Sequence, residues 1–454
     1  MSETKIIVLD DDPTGSQTVH GCLLLTRWDQ ATLREALLDA SPLFFVLSNT
    51  RGMSAQSASD TTREICKNLQ QVLAALKQSG HEINPVLVSR SDSTLRGHYP
   101  IETDVIAEEL GPFDAHFLVP AFFEGGRTTR DSIHYLLVNG QDTPVHETEF
   151  ARDSVFSYHH SYLPDYVEEK TKGRIKASTV ERFVLHDVRG DSMSRLMKLH
   201  GNQCCVVDAV NQTDLNHFSE QLLAAAALGK RFLFRSAASL LSALARLPVQ
   251  PVAAENMHKY VLGARPGAII VGSHVKKTTV QLQHLLQMPG VVAIEIDVEK
   301  LPQQRATLLA DIIQQCEQCH AAGHTSVVYT SRFEKTFSDS SQRLAFGEMV
   351  SEFLMDIVRN LPLTLGFLIS KGGITSNDVL SSGLALRTSR VMGQILPGCS
   401  VVRCPLDHPR YPNLPVVIFP GNVGDDGALA TVYCRLVGQQ ADKSKVHASN
   451  KAAV

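Results

Sequence analysis

The chain has 454 residues, 43% of them hydrophobic, and a formal net charge of −4. That length supports two or more cores, and the mildly acidic balance excludes a nucleic-acid or membrane-surface partner recruited by bulk electrostatics. The start, MSETKIIV, lacks the regions of a secretory signal, no apolar run reaches membrane-spanning length, and nine cysteines without a signal point to reduced thiols in a cytoplasm.

In chain order, Ile6–Leu9 comes first, an apolar run expected to form a buried parallel strand. Asp10, Asp11 and Asp12 follow, and Pro13, Thr14 and Gly15 turn the chain. Like charges crowded at a strand end are costly to hold. In open α/β sheets the ligand crevice lies at the carboxyl ends of the strands. One aspartate suits a helix N-cap; three in a row mark a site. Further strands are expected at Leu43–Leu47, Val86–Val88, His116–Val119 and Cys205–Val207. Others are expected at Ala268–Val271, Val291–Ile296, Ser326–Tyr329, Gly366–Ile369 and Val416–Phe419. Helical patterns sit between them, as in Asp60–Leu76 and Asn216–Ala227. This alternation predicts an α/β fold of two domains, each a mainly parallel sheet with helices on both faces. Proline and glycine interrupt the pattern between residues 246 and 266, where the domain boundary is placed. The expected parts are an N-terminal domain over 1–250, a C-terminal domain over 262–438 and a disordered polar tail over 439–454.

Two clusters are set aside. Cys316, Cys319 and His320 have the spacing of covalent haem attachment, but they lie in a helical pattern and no export signal precedes them. Residues 140–182 are rich in polar side chains with few strand signals, and the pair His159–His160 there has no partner at metal-ligand spacing. No metal-ligand set is expected.

The first half places four polar clusters after apolar strands: Asp10–Gly15, Ser48–Arg51, Ser91–Gly97 and Glu124–Arg127. In a parallel sheet they converge on one rim. They offer acids beside Arg51, Arg90, Arg96 and Arg127, and arginine forks suit a carboxylate while acids suit hydroxyls. A small hydroxy acid fits that pattern, although any one arginine could equally serve a structural ion pair. The second half places glycine-containing turns after strands: GSHVKKT at 272–278, SKGGITSND at 370–378 and FPGNVGDDGA at 419–428. Such turns let a backbone approach phosphate. No GxxxxGK[ST] motif is present, so the chain is not a P-loop enzyme.

One rival reading takes Asp10-x-Asp12-x-Thr14 as the nucleophile motif of haloacid-dehalogenase-like phosphatases. Ser48 would then be their second motif, and Asp425–Asp426 their last acidic pair. The order fits and the spacing does not. A non-catalytic sugar-acid sensor is a further alternative.

The motifs DDDPTG, SDSTLRG, VGSHVKKTTVQL, SKGGITSNDV and PGNVGDDGAL resemble the four-carbon acid sugar kinases, in that family's order and over about residues 4–438. The resemblance implies an N-terminal domain that binds the sugar acid, a C-terminal domain that binds ATP, and phosphorylation of a tetronate or oxo-tetronate at a terminal hydroxyl. It places substrate binding on Asp11, Thr14, Gly15, Asn49, Arg51, Ser93, Thr94, Arg96 and Arg127, and nucleotide binding on Ser273, Gly372, Gly373, Thr375, Gly421, Asn422 and Gly424. Arg90 stands where the family carries lysine, and Asn49 where it carries aspartate. Arg51 and Arg96, with Arg127, are expected to hold the substrate carboxylate. Asp12 or Asp92 is expected to orient and deprotonate the attacking hydroxyl. Mg²⁺ would accompany ATP, the domains would close on both substrates, and the partners are small molecules, with room for a homodimer.

Overall fold

The computed structural model describes residues 3–332 and 340–439. The segment from 440 onward, expected to be disordered, lies outside them. The chain divides into two compact units, residues 1–249 and 250–454. No helix among the described residues is long and apolar enough to cross a membrane.

The first unit carries strands β1 (Glu3–Asp10), β2 (Leu23–Leu25), β3 (Leu43–Leu47), β4 (Ile83–Arg90), β5 (Ala115–Val119), β6 (Arg127–Arg130), β7 (Ile133–Val138), β8 (Gln141–Pro144), β9 (Glu181–Phe183), β10 (Gln203–Val207) and β11 (Phe232–Ser236). Eight of them form a parallel sheet in the order β2-β3-β1-β4-β11-β5-β10-β9. The chain leaves β1 toward β3 on one side and β4 on the other, so β1 ends at a topological switch point. The register puts Asp10 beside Leu47 and Arg90, Arg90 beside Ser236, and Ser236 beside Val119. Five strand ends thereby open on one rim.

Both faces of this sheet are covered. Ile7, Leu9, Leu87 and Leu233 on one face pack with Leu33, Ile65, Leu69 and Ile106. Ile65 and Leu69 belong to the helix Ala55–Gln78, which starts where Ser54 accepts a hydrogen bond from the Ser57 amide at 3.1 Å. On the opposite face Phe117 lies 5.2 Å from Phe232, 5.6 Å from Phe234 and 6.2 Å from Phe218 of the helix Gln212–Ala227, measured between ring centroids.

After β5 the chain forms a separate antiparallel sheet, β6-β7-β8, of which only β8 lies in the polar stretch 140–182 where few strands were expected; the helix Leu163–Lys170 follows within that stretch.

The second unit contains β12 (Ala268–Val271), β13 (Val291–Ile296), β14 (Thr325–Thr330), β15 (Leu368–Lys371), β16 (Thr388–Leu396), β17 (Cys399–Arg403) and β18 (Pro415–Phe419). Their order is β13-β14-β12-β15-β18-β17-β16, parallel as far as β18 and antiparallel beyond it. The strand expected at Gly366–Ile369 begins later, at Leu368, because the Gly366 amide is spent on Pro266 O at 2.9 Å. Cys316 and Cys319 are buried along the helix Leu301–Ala321, and His320 Nε2 lies 2.8 Å from Thr364 Oγ1.

Phe117 anchors one face of the first sheet, so Phe117→Ala should destabilise the chain by about 3–5 kcal/mol. Urea denaturation followed by circular dichroism checks this. A loss below about 1 kcal/mol would mean that the aromatic layer is not packed as described.

Candidate functional site

The Asp10 carbonyl ends β1 and accepts from Ser48 N and Ser48 Oγ, each at 2.9 Å, which locks β3 beside it. Its carboxyl is fully buried, faces Arg90 Nη1 at 3.5 Å and leaves Oδ2 without a partner. Burial, only partly offset by Arg90, pushes its pKa up to about 8. The Gly15 backbone lies directly over this carboxyl, and a Cβ at Gly15 would overlap it.

Asp11 and Asp12 are bound by one side chain. Arg51 donates from Nε (3.2 Å) and Nη2 (2.5 Å) to Asp11 and from Nη1 (3.1 Å) to Asp12. Thr14 adds its amide at 2.8 Å and its hydroxyl at 2.5 Å to the other Asp12 oxygen. Burial raises the Asp12 pKa, but Arg51 and Thr14 outweigh it and hold the carboxyl below its usual range. Asn49 sits at φ 54, and this left-handed turn carries Arg51 back over β1.

The turn after β4 supplies Asp92. It pairs with Arg96 at 2.7 Å and accepts from the Thr94 hydroxyl. Burial raises its pKa, and Arg51 and Arg96 more than reverse this, leaving it ionised at neutral pH. The turn does not open a helix, which begins only at Ile101; Leu95 holds φ 66 within it. Arg96 also lies 3.6 Å from Asp153 and 4.9 Å above the Phe150 ring.

Arg127 differs from its neighbours. It makes no ion pair among the described residues; Nη1 donates to Gly125 O, and its buried Nε has no partner. Burial lowers its pKa, against the pull of Asp92. Of the three arginines expected to grip a carboxylate, Arg51 is therefore spent on Asp11 and Asp12, and Arg96 is largely spent on Asp92. Arg127 retains donors.

Sequence reasoning missed Arg235. It is the penultimate residue of β11 and donates to Glu102 at 2.6 Å, Ser89 Oγ at 2.6 Å and Ser91 Oγ at 2.7 Å. A Cβ at Gly97, which sits at φ 126, would stand 2.6 Å from Ser91 Oγ and 2.7 Å from the Arg235 guanidinium. The positive φ and this close approach both require glycine. The signal available was one arginine inside the apolar run FLFRS.

In the second unit a cleft of about 400 Å³ opens between the turns after β12 and β15. Gly272, Ser273, Gly372, Gly373 and Thr375 line its polar end, and Val298, Phe346 and Leu354 its apolar part. Gly372 has φ 123, and a Cβ there would press on Ser273 and Thr375 at 3.0 Å. The turn after β18 lies alongside: Thr278 Oγ1 reaches both Ser273 Oγ and Gly421 O at 3.3 Å. Lys371, fully buried, donates to Pro420 O at 2.6 Å and Gly421 O at 3.1 Å. Burial brings its pKa down to about 7. Gln281 ties down Val423 O and Asp425 O, and Gly424 meets Ala428 where a Cβ would collide. Asn422 is exposed at the tip of this turn.

Residues 6–244 match a family described as a sugar-binding N-terminal domain, and residues 268–429 one described as a nucleotide-binding C-terminal domain. The chain belongs to the four-carbon acid sugar kinase family. A D-erythronate kinase of Heliobacterium modesticaldum is 27% identical over 218 residues, 47% of each chain. The match thus spans about half the length of that family member. Two solved structures share the fold. One is a Salmonella typhimurium LT2 protein provisionally called a tRNA synthase, with TM-score 0.67, 18% identity and coverage of 95% of this chain and 98% of that one. The other is Haemophilus influenzae protein HI1011, with TM-score 0.63, 17% identity and coverage of 95% and 100%. Within this family frame the phosphatase alternative has no physical support. Its nucleophile, Asp10, is sealed beneath Gly15, and Asp425–Asp426 belong to the other unit.

The folded pKa of Asp10 lies above its ordinary value near 4, so the folded chain keeps a proton that the unfolded chain releases. The stability this contributes is complete below pH 4 and is lost as pH rises toward 8, by on the order of 1 kcal/mol per pH unit. Asp10→Asn should abolish that slope, so thermal melts of the variant should gain on wild type from pH 5 to pH 8; parallel curves would contradict the assignment. Gly373→Val should block the polar end of the cleft and weaken ATP binding at least about tenfold. Sugar-acid binding should be unchanged, and calorimetry with each ligand separately reads the difference.

Proposed function

We propose that the chain is an ATP-dependent kinase that phosphorylates a terminal hydroxyl of a four-carbon sugar acid. The observation that carries this reading is Arg127, a cation short of acid partners, beside Asp92, an acid held ionised at the rim of a parallel sheet. One suits the substrate's carboxylate and the other its hydroxyls. Family membership and the glycine-lined cleft of the second unit support the nucleotide half.

In this reading Arg127 and the free edge of Arg96 hold the carboxylate. Asp12 and Asp92 accept hydrogen bonds from the sugar hydroxyls, and one of them takes the proton of the attacking oxygen. Both carboxyls lie below their usual pKa range, so their main contribution is orientation. That suits phosphoryl transfer, whose loose transition state asks for positioning and charge stabilisation more than a strong base. Thr14 and Arg51 keep Asp12 in one rotamer. The turns Gly372–Thr375 and Gly421–Gly424, with Ser273, take the nucleotide phosphates, and the apolar part of the cleft takes the base. Mg²⁺ enters with ATP as part of the substrate complex.

The test is an ATP-consumption assay over a panel of four-carbon sugar acids. Turnover of at least one is expected, and Arg127→Met should lower kcat/KM for it by about 30- to 100-fold, corresponding to a lost charge-assisted contact of roughly 2–3 kcal/mol. ATP affinity should not move. Absence of turnover across the panel, or an unaffected Arg127→Met, would overturn the proposal.

A further inference from the structure

Three consecutive carbonyls in the turn after β4 are held by buried side chains. Ser93 O lies 2.8 Å from His134 Nε2, Thr94 O accepts from Tyr158 Oη at 2.7 Å, and Leu95 O accepts from Tyr166 Oη at 2.8 Å. His134, Tyr158 and Tyr166 are each at most 2% exposed. All three come from the stretch 133–171 that contains β7, β8 and the helix Leu163–Lys170, which the reading above gives no task. The two tyrosine rings pack edge to face at 5.6 Å, and the Leu95 side chain is buried in the same cluster.

The chemistry fixes the donors. A carbonyl can only accept, so His134 Nε2 carries the proton and Nδ1 accepts from Thr129 Oγ1 at 2.9 Å. Burial lowers the His134 pKa to about 4, which keeps the ring neutral and in this tautomer. Leu95 sits at φ 66, a strained conformation for a side chain of that size. Such strain persists only where the surroundings over-determine it. Here the Tyr166 bond and the burial of Leu95 do so.

A planar trans peptide points its N–H opposite to its C=O. Holding the carbonyls of Ser93 and Leu95 toward the buried cluster therefore aims the amides of Thr94 and Arg96 away from it. Neither amide has a hydrogen-bond partner among the described residues, and Thr94 is only 1% exposed. An unpaired buried N–H is costly, and two amides aimed out of the same turn, flanking the Leu95 N–H that donates to Asp92 O at 3.2 Å, favour an anion.

We propose that His134, Tyr158 and Tyr166 are positioning residues that hold this turn so that the Thr94 and Arg96 amides bind the anionic end of the substrate together with Arg127. This inference rests on the sugar-acid kinase reading and specifies how that site selects a carboxylate. None of the three side chains touches the substrate; they act through the backbone.

Steady-state kinetics on the full chain, with Mg·ATP and a four-carbon acid that wild type turns over, test it. Tyr158→Phe and Tyr166→Phe should each raise KM for the acid about tenfold, the loss of one held carbonyl, and leave KM for ATP unchanged. His134→Leu should do the same, whereas His134→Gln, which keeps an N–H donor on a side chain of similar length, should stay within about threefold of wild type. Where a tyrosine variant does not fold, the His134 pair decides. Unchanged KM for the acid in all variants, an equal rise in KM for ATP, or a His134→Gln as impaired as His134→Leu would overturn the inference. A wild-type chain that turns over no four-carbon acid would instead end the kinase reading itself.

Discussion

The first unit depends on how three consecutive aspartates are held at the end of one strand. Their mutual repulsion would splay the turn if all three were ionised and unpaired. The fold resolves this in two ways. Asp10 is buried under Gly15 with a raised pKa, and Arg51 spans Asp11 and Asp12. Arg51 reaches them only because Asn49 turns the chain left-handed after β3, and β3 is held to β1 by Ser48. Removing the guanidinium would leave buried charges without a partner, a loss of about 3–5 kcal/mol in comparable cases. In the reading proposed above, Arg51 therefore supports the site and leaves the ligand to other side chains.

The same economy recurs on the other side of β1. Glu102 and Ser91 hold Arg235, and Gly97 leaves the space that lets it approach. With Arg51 and Arg235 engaged internally and Arg96 leaning on Asp92, the rim guanidiniums not matched by an ionised acid are Arg127 and Arg90, which faces the protonated Asp10. In the second unit a buried lysine has a comparable structural task, since Lys371 draws the Pro420 and Gly421 carbonyls together beside the glycine turn after β15.

The sheet was legible in the sequence where a strand buried on both faces reads as an unbroken apolar run, as at Leu43–Leu47 and Ala268–Val271, whereas the buried strands β2, β11 and β17 were not expected. It was not legible at β16, where buried and half-buried residues alternate, or at β6 and β8, whose sequences RTTR and QDTP are polar. The clusters after β1, β3, β4 and β5 could be read as converging because parallel topology brings strand ends together. What each arginine does there could not be read, because Arg51, Arg96 and Arg127 differ only in which acid stands within reach. His134, Tyr158 and Tyr166 carry no motif at all; their task appears only once the Ser93–Leu95 carbonyls are located.

In the proposed function, the rim of the first unit selects its substrate by a carboxylate. A comparison of the kcat/KM of a tetronate with that of the uncharged four-carbon polyol of the same hydroxyl configuration, at saturating Mg·ATP, decides this. The acid should be preferred at least about a hundredfold, the worth of a buried charge-assisted contact. Equal turnover of the two would contradict it.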